Sequence, residues 1–188
     1  QSADTWLSIT ITITNVVDTT EYLVIDGSDC DITSAATCVA NTATNAGAAV
    51  VTMASTTATV TWTADAGGIT EAQMETLIDL IAYKNTDQSP TTGNTRVITI
   101  TTLQDGGGTT NSGDNSVTVS LASTVTVAAA ADLPTSAAVT VANVEDTLIT
   151  YSVGNFAFTD VDGDSIARIQ ITTLESSGDL ECQDKNGG

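Results

Sequence analysis

Leu7-Ser8-Ile9-Thr10-Ile11-Thr12-Ile13-Thr14 decides the class of fold. Apolar and hydroxylated side chains alternate through all eight positions, which gives an extended chain one greasy face and one polar face. The same alternation recurs in Tyr22–Ile25, Val50–Met53, Ala58–Thr63, Arg96–Leu103, Ser116–Leu121, Thr124–Val127, Ala138–Val141, Leu148–Tyr151 and Arg168–Leu174. Asp, Asn, Gly and Ser separate these runs, and threonine fills about one position in five, a composition suited to pleated, half-buried surfaces. The pattern predicts an all-β protein, a Greek-key β-sandwich built from hairpins.

One helix is expected within it, near residues 70–83. Thr70 with Gln73 has the spacing of a capping box, and Ile69 with Met74 that of a hydrophobic staple. Met74, Leu77, Ile78 and Ile81 share a face at helical spacing, which core packing explains without any cofactor. Further on, Ala128–Ala131 gives way to Asp132-Leu133-Pro134, where proline cannot extend a central strand. This places a boundary between a first domain, residues 1–132, and a second, residues 133–188, too short to close two sheets and expected to be completed by further chain or by another molecule.

The chain has 188 residues, 23 acidic and 4 basic side chains and no histidine, for a formal net charge of −19. So few cations cannot neutralise phosphates, which argues against nucleic acid as a partner. Lack of histidine removes Ser-His-Asp and Cys-His catalysis and most transition-metal sites. Paired carboxylates of the glycosidase kind work in aromatic-lined clefts, and the few aromatic residues are scattered, so the chain is read as not an enzyme. No apolar run is long enough to span a bilayer, which argues against direct membrane insertion. The chain begins at Gln1 without an initiator methionine or an apolar leader, as expected of a processed product or a segment of something longer.

Cys30 and Cys38 bracket a short Asp/Thr/Ala loop, a spacing that suits a disulfide at a hairpin tip, the alternative being two buried free thiols. Such a bridge, with very little lysine, fits an exported protein at the cell surface. Cys182 is left odd, with its partner expected beyond Gly188 or in another chain.

Asp160-Val161-Asp162-Gly163-Asp164 carries the strongest chemical signal. Three carboxylates at alternate positions about a turn-forming glycine offer hard oxygens to one point, as Ca²⁺ demands with its 6–8 oxygen ligands. An EF-hand is excluded, because Ile171 stands where its bidentate Glu belongs and no helices flank the loop. Glu145, at a turn of the same half-domain, and Asp132, in the linker, are candidates to complete the site. The glycine-rich loop Gln104–Asn115 lacks the lysine and following helix of a phosphate cradle, while its Asp105 and Asp114 make a second Ca²⁺ site a candidate against a plain hairpin loop.

Ile69-Thr70-Glu71-Ala72, Ile81-Ala82-Tyr83-Lys84-Asn85, Pro90-Thr91-Thr92-Gly93-Asn94, Arg96–Ile100 and the Gln104–Asn115 loop, in that order, resemble a repeated module of giant bacterial repeats-in-toxin (RTX) type surface adhesins. Some relatives of that module are Ca²⁺-dependent peptide-binding domains. Val144-Glu145-Asp146-Thr147 and Phe156–Asp164 are similar to the opening of the cadherin-like tandem domains of the same proteins. That resemblance implies a partial cadherin-like β-sandwich with Glu145, Asp160, Asp162 and Asp164 as Ca²⁺ ligands. The linker Ala131-Asp132-Leu133-Pro134 departs from the usual Asn-Asp-Ala-Pro, and the cysteines are atypical.

The expected function is an extracellular, calcium-stiffened structural or adhesive segment of a large surface protein or fibre, whose partners are neighbouring domains or copies of itself. Two alternatives stand beside it: a Ca²⁺-dependent module binding a peptide or cell-surface ligand, and a filament subunit that polymerises by strand donation.

Overall fold

The computed structural model describes residues 5–38, 47–108, 114–142, 144 and 146–173; Glu145, Cys182 and the end of the run expected at Arg168–Leu174 lie outside them. The chain divides into two compact units, Gln1–Ala130 and Ala131–Gly188.

In the first unit β1 (Trp6–Thr14) realises the opening alternation, with Ile9, Ile11 and Ile13 fully buried and the threonines between them facing outward. Each such isoleucine contributes about 1.5–3 kcal/mol on leaving water. β2 (Glu21–Ile25) turns through Asp26-Gly27 into β3 (Ser28–Asp31), and both turn residues have positive φ, as a two-residue hairpin requires. β4 (Ala36–Cys38), β5 (Gly47–Ala54) and β6 (Thr57–Ala64) follow, then α1 (Glu71–Asp79), β7 (Ala82–Asn85), β8 (Arg96–Asp105) and β9 (Ser116–Val125). Antiparallel pairing assembles a six-stranded sheet, β4-β5-β6-β1-β8-β9, and a three-stranded sheet, β3-β2-β7.

The two sheets enclose one core. Ile9, Ile11, Ile13, Val51, Val60 and Trp62 come from the larger sheet, Leu23, Ile25 and Cys30 from the smaller, and Ile69, Met74 and Leu77 from the helical segment. A Cβ on Gly47 would strike the Trp62 ring, so glycine there is what lets the indole lie flat beside β5.

α1 is shorter than expected. Thr70 caps it, its hydroxyl accepting from the Gln73 N–H at 3.4 Å while Gln73 Oε1 accepts from the Thr70 N–H at 2.9 Å. The helix stops at Asp79 with Leu80 as its C-cap, so Ile81 lies outside it and Tyr83 belongs to β7, whose pairing with β2 competes for those residues. The run expected at Ser116–Leu121 and the first half of that expected at Thr124–Val127 form the single strand β9, which ends at Val125. Along it the register with β8 slips, so that Val119 and Ser120 together face Thr101.

A buried ionic cluster organises the β7–β8 connection. Arg96, fully buried, donates from Nε to Glu21 Oε2 (3.1 Å) and from Nη2 to Glu21 Oε1 (2.9 Å) and Asp18 Oδ2 (2.6 Å). Its Nη1 holds the Thr91 and Asn94 carbonyls, both at 2.8 Å, and the Thr91 N–H returns a bond to Asp18 Oδ1 at 2.9 Å. Glu21 also accepts from the Val17 and Asp18 N–H groups and from the Tyr83 hydroxyl at 2.8 Å. Burial alone would raise both carboxyls, but for Asp18 the bonds from Thr91 and Asn85 with the Arg96 charge, and for Glu21 those from Arg96, Asp18 and Tyr83, outweigh it and hold both below their ordinary range. Tyr83, buried against Glu21, is pushed up to about 12.

The second unit is sparser. β10 (Thr135–Ser136) pairs with β11 (Phe158–Thr159), and a 3₁₀ turn covers Val153–Phe156. Ala138–Val141, Leu148–Tyr151 and the described part of 168–174 form no strands, contrary to the alternation there. Alternation supplies a face, yet a strand forms only where a second strand takes its hydrogen bonds.

Candidate metal centre

The ribbon of the second unit explains how its acidic residues meet. Thr135 stands opposite Thr159, and carrying that antiparallel register three residues further sets Asp132 opposite Asp162. The Asp132 N–H donates to Asp162 Oδ2 at 2.6 Å. Within the loop, Asp160 Oδ1 accepts from the N–H groups of Asp162 (2.9 Å) and Asp164 (3.1 Å), while Gly163, at φ 79°, makes the turn that brings them round. One linker residue and the three aspartates of the DxDGD stretch therefore share a single hydrogen-bonded neighbourhood.

Asp132, Asp160 and Asp164 line a cleft of about 690 Å³ together with Tyr151, Phe156 and Phe158. Arg168 lines the same cleft and makes no ion pair with any of these carboxylates. Asp132 Oδ2 is closed off from solvent and, among the described residues, takes no hydrogen bond. A buried carboxylate oxygen without a partner is costly, and a cation is one of the few things that satisfies it.

These donors fit a hard cation in kind, being all carboxylate oxygen. They do not make a finished cage: among the described residues no three Asp, Glu, Cys or His side chains converge as metal ligands. Glu145, the remaining expected ligand, lies outside the described residues.

At the second expected site no metal-ligand group forms among the described residues. Asp105 Oδ1 accepts from the Gly107 N–H at 2.8 Å and Asp114 Oδ1 from the Ser116 N–H at 3.1 Å, so each carboxylate closes its own turn at the base of the β8–β9 loop. The Asp105 N–H bonds to the Asn115 carbonyl at 2.9 Å, as the last rung of that hairpin. Residues 109–113 of the loop lie outside the described residues.

The expected hairpin-tip disulfide is also placed differently. Cys30 and Cys38 are free thiols on strands of different sheets, β3 pairing with β2 and β4 with β5. The Asp18–Glu21–Arg96 cluster escaped the sequence reading altogether, because Arg96 lies more than 70 positions from both carboxylates and only Arg96, a lone cation opening an apolar strand, hinted at a buried partner.

The electrostatic surface follows from these pairings. Arg96 is sequestered in the core, and Lys84 donates to Asp29 at 2.5 Å while lying over the Tyr22 ring, a bond that raises its pKa. Arg168 is thus the one described cation outside an ion pair. Among the described residues no helix is long and apolar enough to cross a membrane. No protein-family model, curated protein or solved structure matches the chain.

Proposed function

We propose that this chain is an extracellular, calcium-stiffened structural segment of a large adhesive surface protein, without catalysis, its second unit cadherin-like and its first akin to the RTX adhesin module. One observation carries the reading: Asp132, at the start of the second unit, is hydrogen-bonded to the Asp160–Asp164 loop and holds a buried carboxylate oxygen that no described residue satisfies. Asp160, Asp162, Asp164 and Asp132 would hold the ion, with Glu145 as a further ligand. Calcium there supplies charge neutralisation, and without it crowded carboxylates in a chain of net charge −19 repel one another. By mass action, calcium at 100 times its Kd stabilises the unit that binds it by about 2.7 kcal/mol.

The test is calcium titration of the full chain with thermal unfolding and limited proteolysis around Ala128–Pro134. Calcium at millimolar level is expected to raise the melting temperature and protect that stretch, and a chelator to reverse both. Asp160→Asn, which keeps the acceptor for Asp162 and Asp164 but removes a charge, is expected to weaken calcium binding at least about tenfold. Absence of calcium binding in the parent chain would refute the reading.

Strand donation has its own support. Leu133, Leu148, Val153, Ile169 and Ile171 of the second unit are at least half exposed, a burden of apolar surface that a strand from another copy would cover. Sedimentation at dilute and high concentration separates the two, since only strand donation makes copies associate.

A further inference from the structure

Cys30 lies on β3, an edge of the three-stranded sheet, and is fully buried. Cys38 lies on β4, an edge of the six-stranded sheet, half-buried against the same core. The chain passes from one sheet to the other in the four residues between Asp31 and Ala36, and that crossing is firmly held. Asp31 Oδ1 accepts from the Thr33 N–H (2.8 Å) and hydroxyl (2.6 Å), the Ile32 N–H donates to the Glu21 carbonyl (3.1 Å), and the Ile32 side chain is buried. A crossing so fixed sets β3 and β4 against each other and packs Cys38 against the cluster that holds Cys30.

We infer that Cys30 and Cys38 are a paired dithiol that closes, by exchange with a small-molecule disulfide such as oxidised glutathione, into a covalent staple between the edge strands of the two sheets. Accessibility sets the order of events. Cys38 is the reachable sulfur, whereas burial pushes the Cys30 thiol up and leaves it almost no thiolate. The Cys38 thiolate attacks the glutathione disulfide, forming a mixed disulfide and releasing one glutathione. Cys30 then gives up its proton and attacks Cys38 Sγ, and the Cys38–glutathione bond breaks to release the second. Two protein thiols are oxidised by two electrons and one small disulfide is reduced to two thiols. The staple adds a second covalent link beside the four-residue crossing of the backbone at that edge, and it stands independently of the calcium reading.

The experiment uses the folded full chain carrying Cys182→Ser, exposed to oxidised glutathione, acid-quenched and cut on the N-terminal side of Asp31 without reduction. Cleavage there separates the two cysteines, so they stay together in the mass spectrum only if bonded. The expected result is a joined Cys30–Cys38 peptide pair and a melting temperature roughly 5–10 °C above the reduced form. Adding Cys38→Ser is expected to leave Cys30 unmodified, while Cys30→Ala is expected to trap glutathione on Cys38. Two free thiols after oxidation, or a glutathione adduct that persists on Cys38 with Cys30 present, would overturn the inference.

Discussion

Replacing Arg96 by methionine tests the buried cluster of the first unit. Methionine keeps most of the side-chain volume and deletes five donated bonds, three to carboxylates and two to the Thr91 and Asn94 carbonyls. Glu21 stays behind at 0% exposure with its bonds from Val17, Asp18 and Tyr83 but without its cation. Stranding a buried charge in this way costs roughly 3–5 kcal/mol, a large part of a domain's whole stability. Urea unfolding followed by tryptophan fluorescence should therefore show the midpoint falling by about 2 M. The pH dependence carries the sharper signature. Because the folded carboxyls of Asp18 and Glu21 lie below their ordinary values of 3.8 and 4.5, their contribution is present above those values and lost as pH falls through the folded ones. In Arg96→Met the carboxyls lose the partner that holds them down, so the parent and variant stabilities should converge as pH falls through the parent's lowered folded values. Arg96→Met with Glu21→Gln should recover part of the loss, since only Asp18 then keeps a buried charge without its cation. A neutral-pH difference under about 1 kcal/mol, or a gap that holds constant into acid, would refute the argument.

Two further substitutions probe the frame of the first unit. Gly47→Ala drives a methyl into the Trp62 ring and is expected to cost about 1–3 kcal/mol, read as a fall in melting temperature with a shifted tryptophan emission. Thr70→Ala removes the acceptor for the Gln73 N–H and is expected to cost about 0.5–2 kcal/mol in chemical denaturation, with Thr70→Ser restoring most of it.

The first unit was legible where a residue's own neighbours in sequence determine its state. Ile9, Ile11 and Ile13 announce a buried face, Asp26-Gly27 a tight turn, and Thr70 with Gln73 a helix start. β3, β4 and β7 were missed because three or four residues such as Ser28-Asp29-Cys30-Asp31 carry too little apolar periodicity and exist as strands through their partners. β9 was divided in two because Ala122-Ser123 breaks the alternation, although the ladder with β8 runs on through both residues. The acidic loop was legible from its spacing, whereas the bond from Asp132 to Asp162 depends on a ribbon that joins residues thirty apart. Likewise the alternation at Ala138–Val141 and Leu148–Tyr151 describes a surface in search of a neighbour, and without one the backbone stays irregular.

The outer rim of the six-stranded sheet is ten uncharged residues long, with Val117 and Leu121 open to solvent. Such a rim invites a neighbouring molecule to zip onto it, and chains crowded together at high concentration would be prone to fuse into sheets. The misstep at Val119 and Ser120 answers that hazard: an incoming straight strand can match the backbone on one side of it or the other, never along the whole length. A single surplus residue thus lets the chain keep a neutral, hydroxyl-bearing flank without gluing itself to its own kind.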